Sequence, residues 1–189
     1  MAVVDTSDFY VGMFIEWEGQ IWEIVECQHH KMGRGGAIVR TKLRNFESGA
    51  IVDQSFRSGE RFERIVFNEK PAQFLYKEGD SYVFMDLESY DQVYVHESLV
   101  GDKRYYLKEP LEVKLLEHGG RIMSIELPNT VELEVVDAPP AYKGDTVSGG
   151  GKPVTLETGL VLQVPMFVEV GDKVLVDTRN GKYLGRTGG

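Results

Sequence analysis

The feature that most constrains the fold is the steady recurrence of short apolar or alternating segments, roughly one per ten residues, between glycine-containing turns. The segments are rich in β-branched and aromatic residues, as strands are. They cover residues 11–20, 21–27, 37–43, 50–57, 62–67, 73–76, 81–86, 91–95, 111–116, 121–127, 131–136, 160–164, 167–170 and 173–177. No heptad repeat, low-complexity tract or long helical pattern interrupts them. We therefore predict an all-β protein, with a short helix only within residues 98–107.

The length of the chain allows more than one domain. Its 189 residues are 42% hydrophobic, which is enough to bury two or three small cores. Five short strands with short turns predict a small barrel over residues 1–64, and the same spacing predicts a second barrel over 65–127. A third set of strands follows over 128–189. We expect three small β-barrels in series.

The charge of the chain limits its possible partners. A net charge of −9 and a pI near 5.0 argue against a protein that coats nucleic acid by bulk electrostatics. The predicted domains carry net charges of −2, −5 and −2, from 8 basic against 10 acidic residues, 7 against 12, and 6 against 8. Any contact with RNA is therefore expected to be local, and the middle domain is the least suited to lie on phosphates.

The compartment is also indicated by composition. The single cysteine, Cys27, excludes an intramolecular disulfide and fits a reducing environment. Residues 1–14 have neither a basic nor an apolar targeting region, and no apolar run reaches membrane length. We expect a cytoplasmic protein with no membrane partner.

Between residues 28 and 45 the charge changes sign inside a glycine-rich turn. Residues 1–27 contain acids but no Lys or Arg, and the next charged side chains are all basic: Lys31, Arg34, Arg40, Lys42 and Arg44. The strand-like segments on either side predict a long hairpin with Arg34 at its tip, bracketed by Gly33 and Gly35. An extended chain from Glu26 to Arg34 spans about 25 Å. Two interpretations remain open: a basic finger that contacts an anionic partner, or a hairpin with solvated charges.

No catalytic, metal or cofactor motif stands out. Cys27 and His29 can share one face of a strand, but two ligands are too few for a metal site. The glycine-rich segment 149–152 precedes Pro153, where a phosphate-binding loop requires Ser or Thr. Carboxylate pairs such as Glu16 with Glu18 share strand faces without a cleft to mark them. We predict no enzyme, no metal and no cofactor.

Three segments carry patterns long enough to indicate a family. They are the turn at 31–37, the loop at 144–153, and the tail at 159–183, in which Val164-Pro165-Met166-Phe167 is followed by Gly171-Asp172 and Asp177-Thr178. With these segments the chain resembles the bacterial elongation factor P family over its whole length. The tail pattern is the most specific of the three.

The resemblance implies a fold and a function. It implies an SH3-like (KOW-type) first domain and two OB-type domains, with an L-shaped outline similar to that of tRNA. It also implies a factor, monomeric in solution, that binds both ribosomal subunits beside the peptidyl-tRNA. Such a factor relieves stalling at consecutive prolines and catalyses no reaction itself.

The resemblance also implies roles for particular residues. The tip residue Arg34 contacts the peptidyl-tRNA and is a possible modification site. The other finger-loop residues are Lys31, Met32, Gly33, Gly35 and Gly36. Arg40, Lys42 and Arg44 contact RNA backbone. Gly144, Asp145 and Thr146 form a loop near the small subunit and messenger RNA.

The chain departs from the family pattern at the finger tip. Members often carry a modified lysine there, and Arg34 excludes that lysine chemistry. Members with a rhamnosylated arginine generally have Pro and Asn where this chain has Met32 and Gly35. We expect Arg34 to be unmodified. Val154, where the family usually has Ala, should matter little to the fold.

Three other classes of function compete with this interpretation. A general RNA-binding barrel protein would bind isolated RNA with little structural preference. An enzyme would carry carboxylates with strongly shifted pKa values in a concave pocket. An interaction scaffold would expose a sizeable apolar patch.

Overall fold

The computed structural model describes residues 2–30, 36–140 and 150–188, which are mostly β-strands arranged in three antiparallel sheets. This confirms the all-β prediction. The chain divides into two compact units, Met1–Phe67 and Asn68–Gly189. The division into domains 1–64, 65–127 and 128–189 stays a prediction. Among the described residues, no helix is long and apolar enough to cross a membrane.

The first unit holds a six-stranded sheet in the order β1-β6-β2-β3-β4-β5. Its strands are β1 (Ala2–Asp5), β2 (Phe14–Trp17), β3 (Gln20–His30), β4 (Ile38–Asn45), β5 (Ile51–Arg57) and β6 (Arg61–Ile65). β1 was not among the predicted strands. It is a four-residue edge strand that pairs only with β6, from Ala2 with Arg64 to Asp5 with Arg61. Four residues are too few for a periodic signal, and the partner lies about sixty residues away.

β4 shows how alternation builds the core of this unit. Val39, Thr41 and Leu43 are buried, whereas Arg40 and Arg44 are exposed on the opposite face. Successive side chains of a strand point to opposite faces, so one face can pack on the core while the other meets water. The core on the buried side consists of Phe9, Met13, Ile15, Trp22, Ile24, Val39, Leu43, Phe56 and Phe62.

A β-bulge in β3 changes which side chains face outward. Ile24 pairs with Leu43, but the next pair is Glu26 with Lys42, so Val25 is the extra residue. A bulge shifts the alternation of its strand by one residue. Between the bulge and His30, the even-numbered residues of β3 therefore share a face of the sheet with the exposed side chains of β4.

The second unit holds two five-stranded sheets, in the orders β11-β10-β7-β8-β9 and β14-β13-β12-β15-β16. The first of these contains β7 (Asn68–Glu78), β8 (Ser81–Asp86), β9 (Gln92–His96), β10 (Glu112–His118) and β11 (Arg121–Glu126). The other contains β12 (Thr130–Asp137), β13 (Gly151–Leu156), β14 (Val161–Pro165), β15 (Lys173–Asp177) and β16 (Lys182–Thr187). Each sheet has its own cluster of buried apolar residues.

The segment between β9 and β10 contains the predicted short helix. α1 (Glu97–Val100) continues into a 3-10 helix at Gly101–Tyr106. The side chain of His96 accepts a hydrogen bond from the backbone N–H of Ser98 and so caps α1. The prediction of a helix within 98–107 is confirmed.

The predicted strand at 167–170 is wrong, and β13 and β16 were not predicted. Residues 166–171 form turns closed by hydrogen bonds from Val168 N–H to the Pro165 carbonyl and from Asp172 N–H to the Glu169 carbonyl. Val168 is fully buried, while Phe167 stays exposed. An apolar run can therefore insert one side chain into a core without forming a strand. β16 was missed because its sequence shows no alternation of apolar and polar residues. In the structure its side chains alternate between exposed and partly buried, and none is fully buried.

The connection 101–111 joins the two sheets of the second unit. Tyr106 packs against the apolar core of the β12–β16 sheet, and Leu111 packs against both cores. The hydroxyl of Thr158 donates to the carbonyl of Tyr105. Lys108 forms an ion pair with Glu157, with 2.8 Å between Nζ and Oε1. The hydrogen bond and the ion pair thus hold this connection against the β12–β16 sheet, and Leu111 joins it to both cores.

Candidate functional site

The predicted hairpin is present, but it is broader than a two-stranded finger. β3 and β4 pair up to His30 with Ile38, and β5 pairs with the other edge of β4 up to Ile38 with Arg57. A third strand accompanies the hairpin to its last described pair, and the projection of a finger as far as Arg34 stays a prediction. The connection from residue 31 to residue 37 follows this three-stranded end.

Two of the predicted RNA-contacting side chains are paired with acids. Directly opposite residues of an antiparallel pair share a face of the sheet, so Arg44 meets Glu23 and Lys42 meets Glu26. The nitrogen–oxygen distances are 3.2 Å for Arg44 with Glu23 and 3.5 Å for Lys42 with Glu26. Because these pairs are solvent-accessible, each stabilises the sheet by only about 0.2–1 kcal/mol.

Arg40 differs from Lys42 and Arg44. Its cross-strand neighbours are Gln28 on β3 and Ser55 on β5, neither of which carries a charge. In the part of the chain that the structure describes, the Arg40 guanidinium has no carboxylate within ion-pair distance. Among Arg40, Lys42 and Arg44, Arg40 is therefore the residue whose charge is least compensated.

Arg57 was missed by the sequence reasoning. It is the last residue of β5, it is exposed, and it lies on the same face as Arg40 because Ser55, two residues earlier, is opposite Arg40. The alternation from Ile51 onward indicates that Arg57 points outward. It does not indicate that β5 lies beside β4, because that pairing joins separate segments.

The predicted finger tip and third-domain loop lie mostly outside the described residues. These are Lys31, Met32, Gly33, Arg34 and Gly35 at the tip, and Gly144, Asp145 and Thr146 in the loop. Gly36 is described: it is exposed, and its φ of +92° lies in a region that favours glycine. Among the strands that flank the loop, β12 pairs with β13, as in Asp137 with Thr155.

Cys27 and His29 lie on one face of β3, as the sequence indicated. Their Sγ and Nε2 atoms are 3.9 Å apart, and the thiol also lies 3.7 Å from the Phe9 carbonyl oxygen. Partial burial raises the pKa of the Cys27 thiol, which favours the protonated form. The described ranges contain no group of three or more potential metal-ligating side chains.

Carboxyl groups with shifted pKa values are found in turns and ion pairs. Hydrogen bonds from the Ser7 side chain and backbone lower the pKa of Asp5, and backbone N–H groups of Glu88 and Ser89 lower the pKa of Asp86. The Arg179 side chain and backbone lower the pKa of Asp177. Hydrogen bonding to the charged form explains each shift. A lowered pKa keeps a carboxyl group ionised, which does not suit a general acid.

Family profiles match three successive parts of the chain. The profile described as "Elongation factor P (EF-P) KOW-like domain" matches residues 5–62. That described as "Elongation factor P (EF-P) OB domain" matches residues 67–125. That described as "Elongation factor P, C-terminal" matches residues 131–186. The three matches together extend over most of the sequence.

Whole proteins are similar to the chain over nearly its full length. Elongation factor P of Pelotomaculum thermopropionicum is 48% identical over 97% of this chain and 100% of its own. Elongation factor P of Thermotoga maritima is 49% identical with the same coverage, and that of Nitratidesulfovibrio vulgaris is 50% identical over 96% of this chain and 98% of its own. Among solved structures, eukaryotic translation initiation factor 5A from Methanococcus jannaschii aligns with a TM-score of 0.55 and 22% identity. It covers 66% of this chain and 93% of that one, a likeness of fold.

The three antiparallel sheets, the basic hairpin and these matches define a translation factor built from β-domains. The similarity is continuous from the KOW-like match to the C-terminal match. The chain belongs to the elongation factor P family.

Proposed function

We propose that the protein binds the ribosome beside the peptidyl-tRNA and promotes peptide-bond formation, relieving stalling at consecutive prolines. The observation that carries this proposal is the similarity over 97% of the chain to proteins named elongation factor P. The hairpin adds local support, because β3 and β4 lead to a connection that contains Lys31 and Arg34.

The proposed activity is one of positioning, and it requires no catalytic group on the factor. Proline is a constrained nucleophile, and as the last residue of the nascent chain it misplaces the ester of the peptidyl-tRNA. Restoring a reactive orientation can lower a barrier by several kcal/mol. Each 1.36 kcal/mol corresponds to about a tenfold change in rate. The factor would therefore assist the ribosomal peptidyl transferase without being an enzyme.

Arg34 is the residue proposed to act at the acceptor end of the peptidyl-tRNA. A guanidinium group is permanently charged and planar, and it can donate two parallel hydrogen bonds to phosphate oxygens. Gly33 and Gly35 on either side carry no side chains that would obstruct a close approach. We propose that Arg34 acts without modification, because Met32 and Gly35 depart from the pattern of the arginine-modified members.

Arg40, Lys42 and Arg44 would hold the RNA backbone behind the tip. They alternate along β4 on its exposed face. Contacts of this kind supply salt-dependent affinity without reading sequence. The net charge of −9 on the whole chain would limit binding to RNA elsewhere.

The remaining parts of the proposal concern the partners and location. Gly144, Asp145 and Thr146 would lie near the small subunit and the messenger RNA, where backbone amides and the Thr146 hydroxyl can donate. The factor would act as a monomer of three domains in the cytoplasm and contact both ribosomal subunits.

The test is the rate of peptide-bond formation on ribosomes that translate a Pro-Pro-Pro message. The protein is produced where no arginine-modifying enzyme exists, and wild type is compared with Arg34→Ala, Arg34→Lys and the control Arg121→Ala. Arg121 is an exposed arginine of β11, in the other compact unit. Wild type and the control should accelerate the reaction. Arg34→Ala should reduce the acceleration about tenfold or more, as expected for loss of a charge-assisted contact, and Arg34→Lys should retain part of it.

The possible results distinguish the role of Arg34 from the proposed function as a whole. A folded Arg34→Ala variant with full acceleration would exclude the proposed role of Arg34. If wild type gives no acceleration, the intact mass of the protein from its native source decides the cause. Added mass would mean that Arg34 requires modification, and an unmodified mass would refute the proposed function.

A further inference from the structure

Two turns of the β12–β16 sheet contact the connection 101–111, which starts and ends in the other sheet of the second unit. The β13–β14 turn consists of residues 157–160, and the β15–β16 turn consists of residues 178–181. Both turns lie in or beside the tail segment 159–183, whose pattern is the most specific sign of the family. None of the proposed RNA contacts lies in either turn, so the proposed function gives these residues no role.

The connection 101–111 is first anchored on the β7–β11 sheet. Leu107 is buried in the apolar core of that sheet. The Lys103 ammonium group donates to the Ser124 hydroxyl at 3.2 Å and also to the Ile125 carbonyl, both on β11. These contacts fix the 3-10 helix of the connection relative to its own sheet.

Residues of the same connection are also held by the β12–β16 sheet. The Thr158 hydroxyl, in the β13–β14 turn, donates to the Tyr105 carbonyl at 2.5 Å. The ring of Tyr106 packs against the core of this sheet. Lys108 forms its ion pair with Glu157 at the start of the β13–β14 turn. The connection is therefore held on both sheets at once.

A glycine in each turn leaves room for one of the tyrosines. A Cβ added to Gly181 would lie 3.1 Å from the Tyr106 hydroxyl oxygen, and one added to Gly159 would lie 3.8 Å from the Tyr105 ring. Only the first of these distances is shorter than ordinary van der Waals contact. Gly181 is therefore the position at which a side chain would push the connection away from the sheet.

The linker from β11 to β12 is held by the β15–β16 turn as well. Leu127, at its start, packs against the core of the β7–β11 sheet. The Thr178 hydroxyl donates to the Pro128 carbonyl at 2.5 Å, and the Thr178 backbone N–H donates to the Asn129 carbonyl at 2.9 Å. One turn thus contacts two separate segments of chain, each of which is also anchored on the β7–β11 sheet.

Two anchored segments restrict motion that a single linker would allow. Domains of one chain move relative to each other unless a large apolar interface or other contacts prevent it. We propose that the β13–β14 and β15–β16 turns clamp the connection 101–111, so that the two sheets of the second unit keep one fixed angle. Thr158, Gly181 and Tyr106 are the positioning residues of this clamp.

The clamp goes beyond the proposed function and rests on it only for its consequence on the ribosome. A second unit with a fixed angle loses less orientational freedom when it binds, and this favours the proposed contact with the small subunit. The angle itself can be measured on the protein alone, without a ribosome.

The first experiment measures the distance between spin labels on the two sheets by pulsed electron paramagnetic resonance. Labels are attached through Gln92→Cys on β9 and Leu184→Cys on β16 in a Cys27→Ser background. Both labelled positions are exposed. The width of the distance distribution then reports how far the two sheets move relative to each other.

Four substitutions are compared in this labelled protein. Gly181→Ala inserts a carbon against Tyr106, Tyr106→Ala removes the packed ring, and Thr158→Val removes the hydroxyl that donates to the connection. The fourth combines Gly181→Ala with Tyr106→Phe. Gly119→Ala is the control, because its φ of +61° is close to the +71° of Gly181 but no atom lies within 4 Å of the added carbon.

Wild type and the control should give one narrow distribution. Gly181→Ala and Tyr106→Ala should each widen it about twofold or more, because unclamped domains move by default. Thr158→Val should widen it less. Tyr106→Phe removes the hydroxyl that the added carbon meets, so it should narrow the distribution again in the Gly181→Ala background. The strain of the positive φ is the same with or without that hydroxyl, so the recovery isolates the contact.

Circular dichroism checks that each variant is folded at the temperature of labelling. If Gly181→Ala does not fold, Tyr106→Ala and Thr158→Val still test the clamp. A broad distribution in wild type would refute it. So would a width that none of Gly181→Ala, Tyr106→Ala and Thr158→Val changes.

The Pro-Pro-Pro assay then tests the consequence for activity. Gly181→Ala should raise the factor concentration needed for half-maximal acceleration about threefold to tenfold, since only molecules with the correct angle bind. The maximal rate should stay unchanged, in contrast to Arg34→Ala, and adding Tyr106→Phe should restore the lower concentration. A lower maximal rate at an unchanged half-maximal concentration would refute the positioning role. If wild type gives no acceleration, the label distances still decide the clamp.

Discussion

Glu157 holds the connection 101–111 against the β12–β16 sheet, and its substitution tests whether this contact stabilises the protein. Its carboxylate forms the ion pair with Lys108 and also accepts a hydrogen bond from the backbone N–H of Glu134 at 2.9 Å. Glu157→Ala removes both interactions. Glu157→Gln removes the charge but keeps an amide oxygen for the Glu134 N–H.

The expected loss follows from these two interactions. An ion pair in which Glu157 is partly buried and Lys108 is exposed, together with a backbone donor left without its partner, accounts for a cost of about 2 kcal/mol in Glu157→Ala. Glu157→Gln should cost about 1 kcal/mol, because only the charge is lost. For a unit of this size, 2 kcal/mol corresponds to a decrease in melting temperature of about 5–10 °C.

Two spectroscopic signals distinguish the units during unfolding. The protein contains 2 tryptophans, Trp17 and Trp22, and both lie in the first unit. Tryptophan fluorescence therefore follows the first unit, whereas far-UV circular dichroism follows both. Substitution of Glu157 should shift the dichroism transition and leave the fluorescence transition in place. A Lys108→Met cycle should assign about 0.5–1 kcal/mol to the ion pair itself.

The pH dependence gives a further check on Glu157. Burial tends to raise the pKa of its carboxyl group, but hydrogen bonds from Lys108 and Glu134 N–H lower the pKa overall, below the ordinary 4.5. The stabilisation is therefore present at neutral pH and is lost as the pH falls from 4.5 through the lower folded value. The difference between wild type and Glu157→Gln should shrink over that interval. An unchanged dichroism transition in Glu157→Ala, or an equal shift in fluorescence, would refute the reasoning.

Two further predictions concern the hairpin. Gly36→Ala should destabilise the first unit by about 1–2 kcal/mol, since the φ of +92° is unfavourable for a side chain, although no atom lies within 4 Å of the added carbon. Tryptophan fluorescence in urea should report this loss, and an unchanged midpoint would contradict it. Combined Glu23→Gln and Glu26→Gln should tighten tRNA binding about twofold to fivefold and steepen its salt dependence, because Lys42 and Arg44 are released. Weaker or unchanged binding would mean that the two cations face no RNA.

Much of the fold was predictable because its signals are local. Alternation within 37–43 predicted the strand that the structure has at Ile38–Asn45, and the helix after His96 was expected from its position between strands. The failures occurred where the local signal was weak or misleading. β1 is too short to show a period, and the apolar run at 167–170 forms turns around one buried valine.

In the candidate site, too, the sequence predicted the features that depend on neighbouring residues and missed those that depend on strand pairing. The basic residues on β4 were visible as a charge pattern, and their common face follows from spacing by two. Their ion pairs with Glu23 and Glu26 depend on cross-strand pairing, so the sequence did not distinguish Arg40 from Lys42 and Arg44. Arg57 was missed because it lies in another segment and is the one basic residue of its strand.

The sequence by itself determined the all-β class, the faces of individual strands, the basic hairpin and the family, since each depends on residues close together in the chain or on a long pattern of identities. Only the tertiary structure decided which strands are neighbours and in what register. The bulge at Val25 places Glu26 opposite Lys42, and the β4–β5 pairing places Arg57 beside Arg40. A shift of one residue in a strand moves every side chain to the other face, and no local preference sets that shift. The distribution of charge on the exposed face is therefore a property of strand pairing.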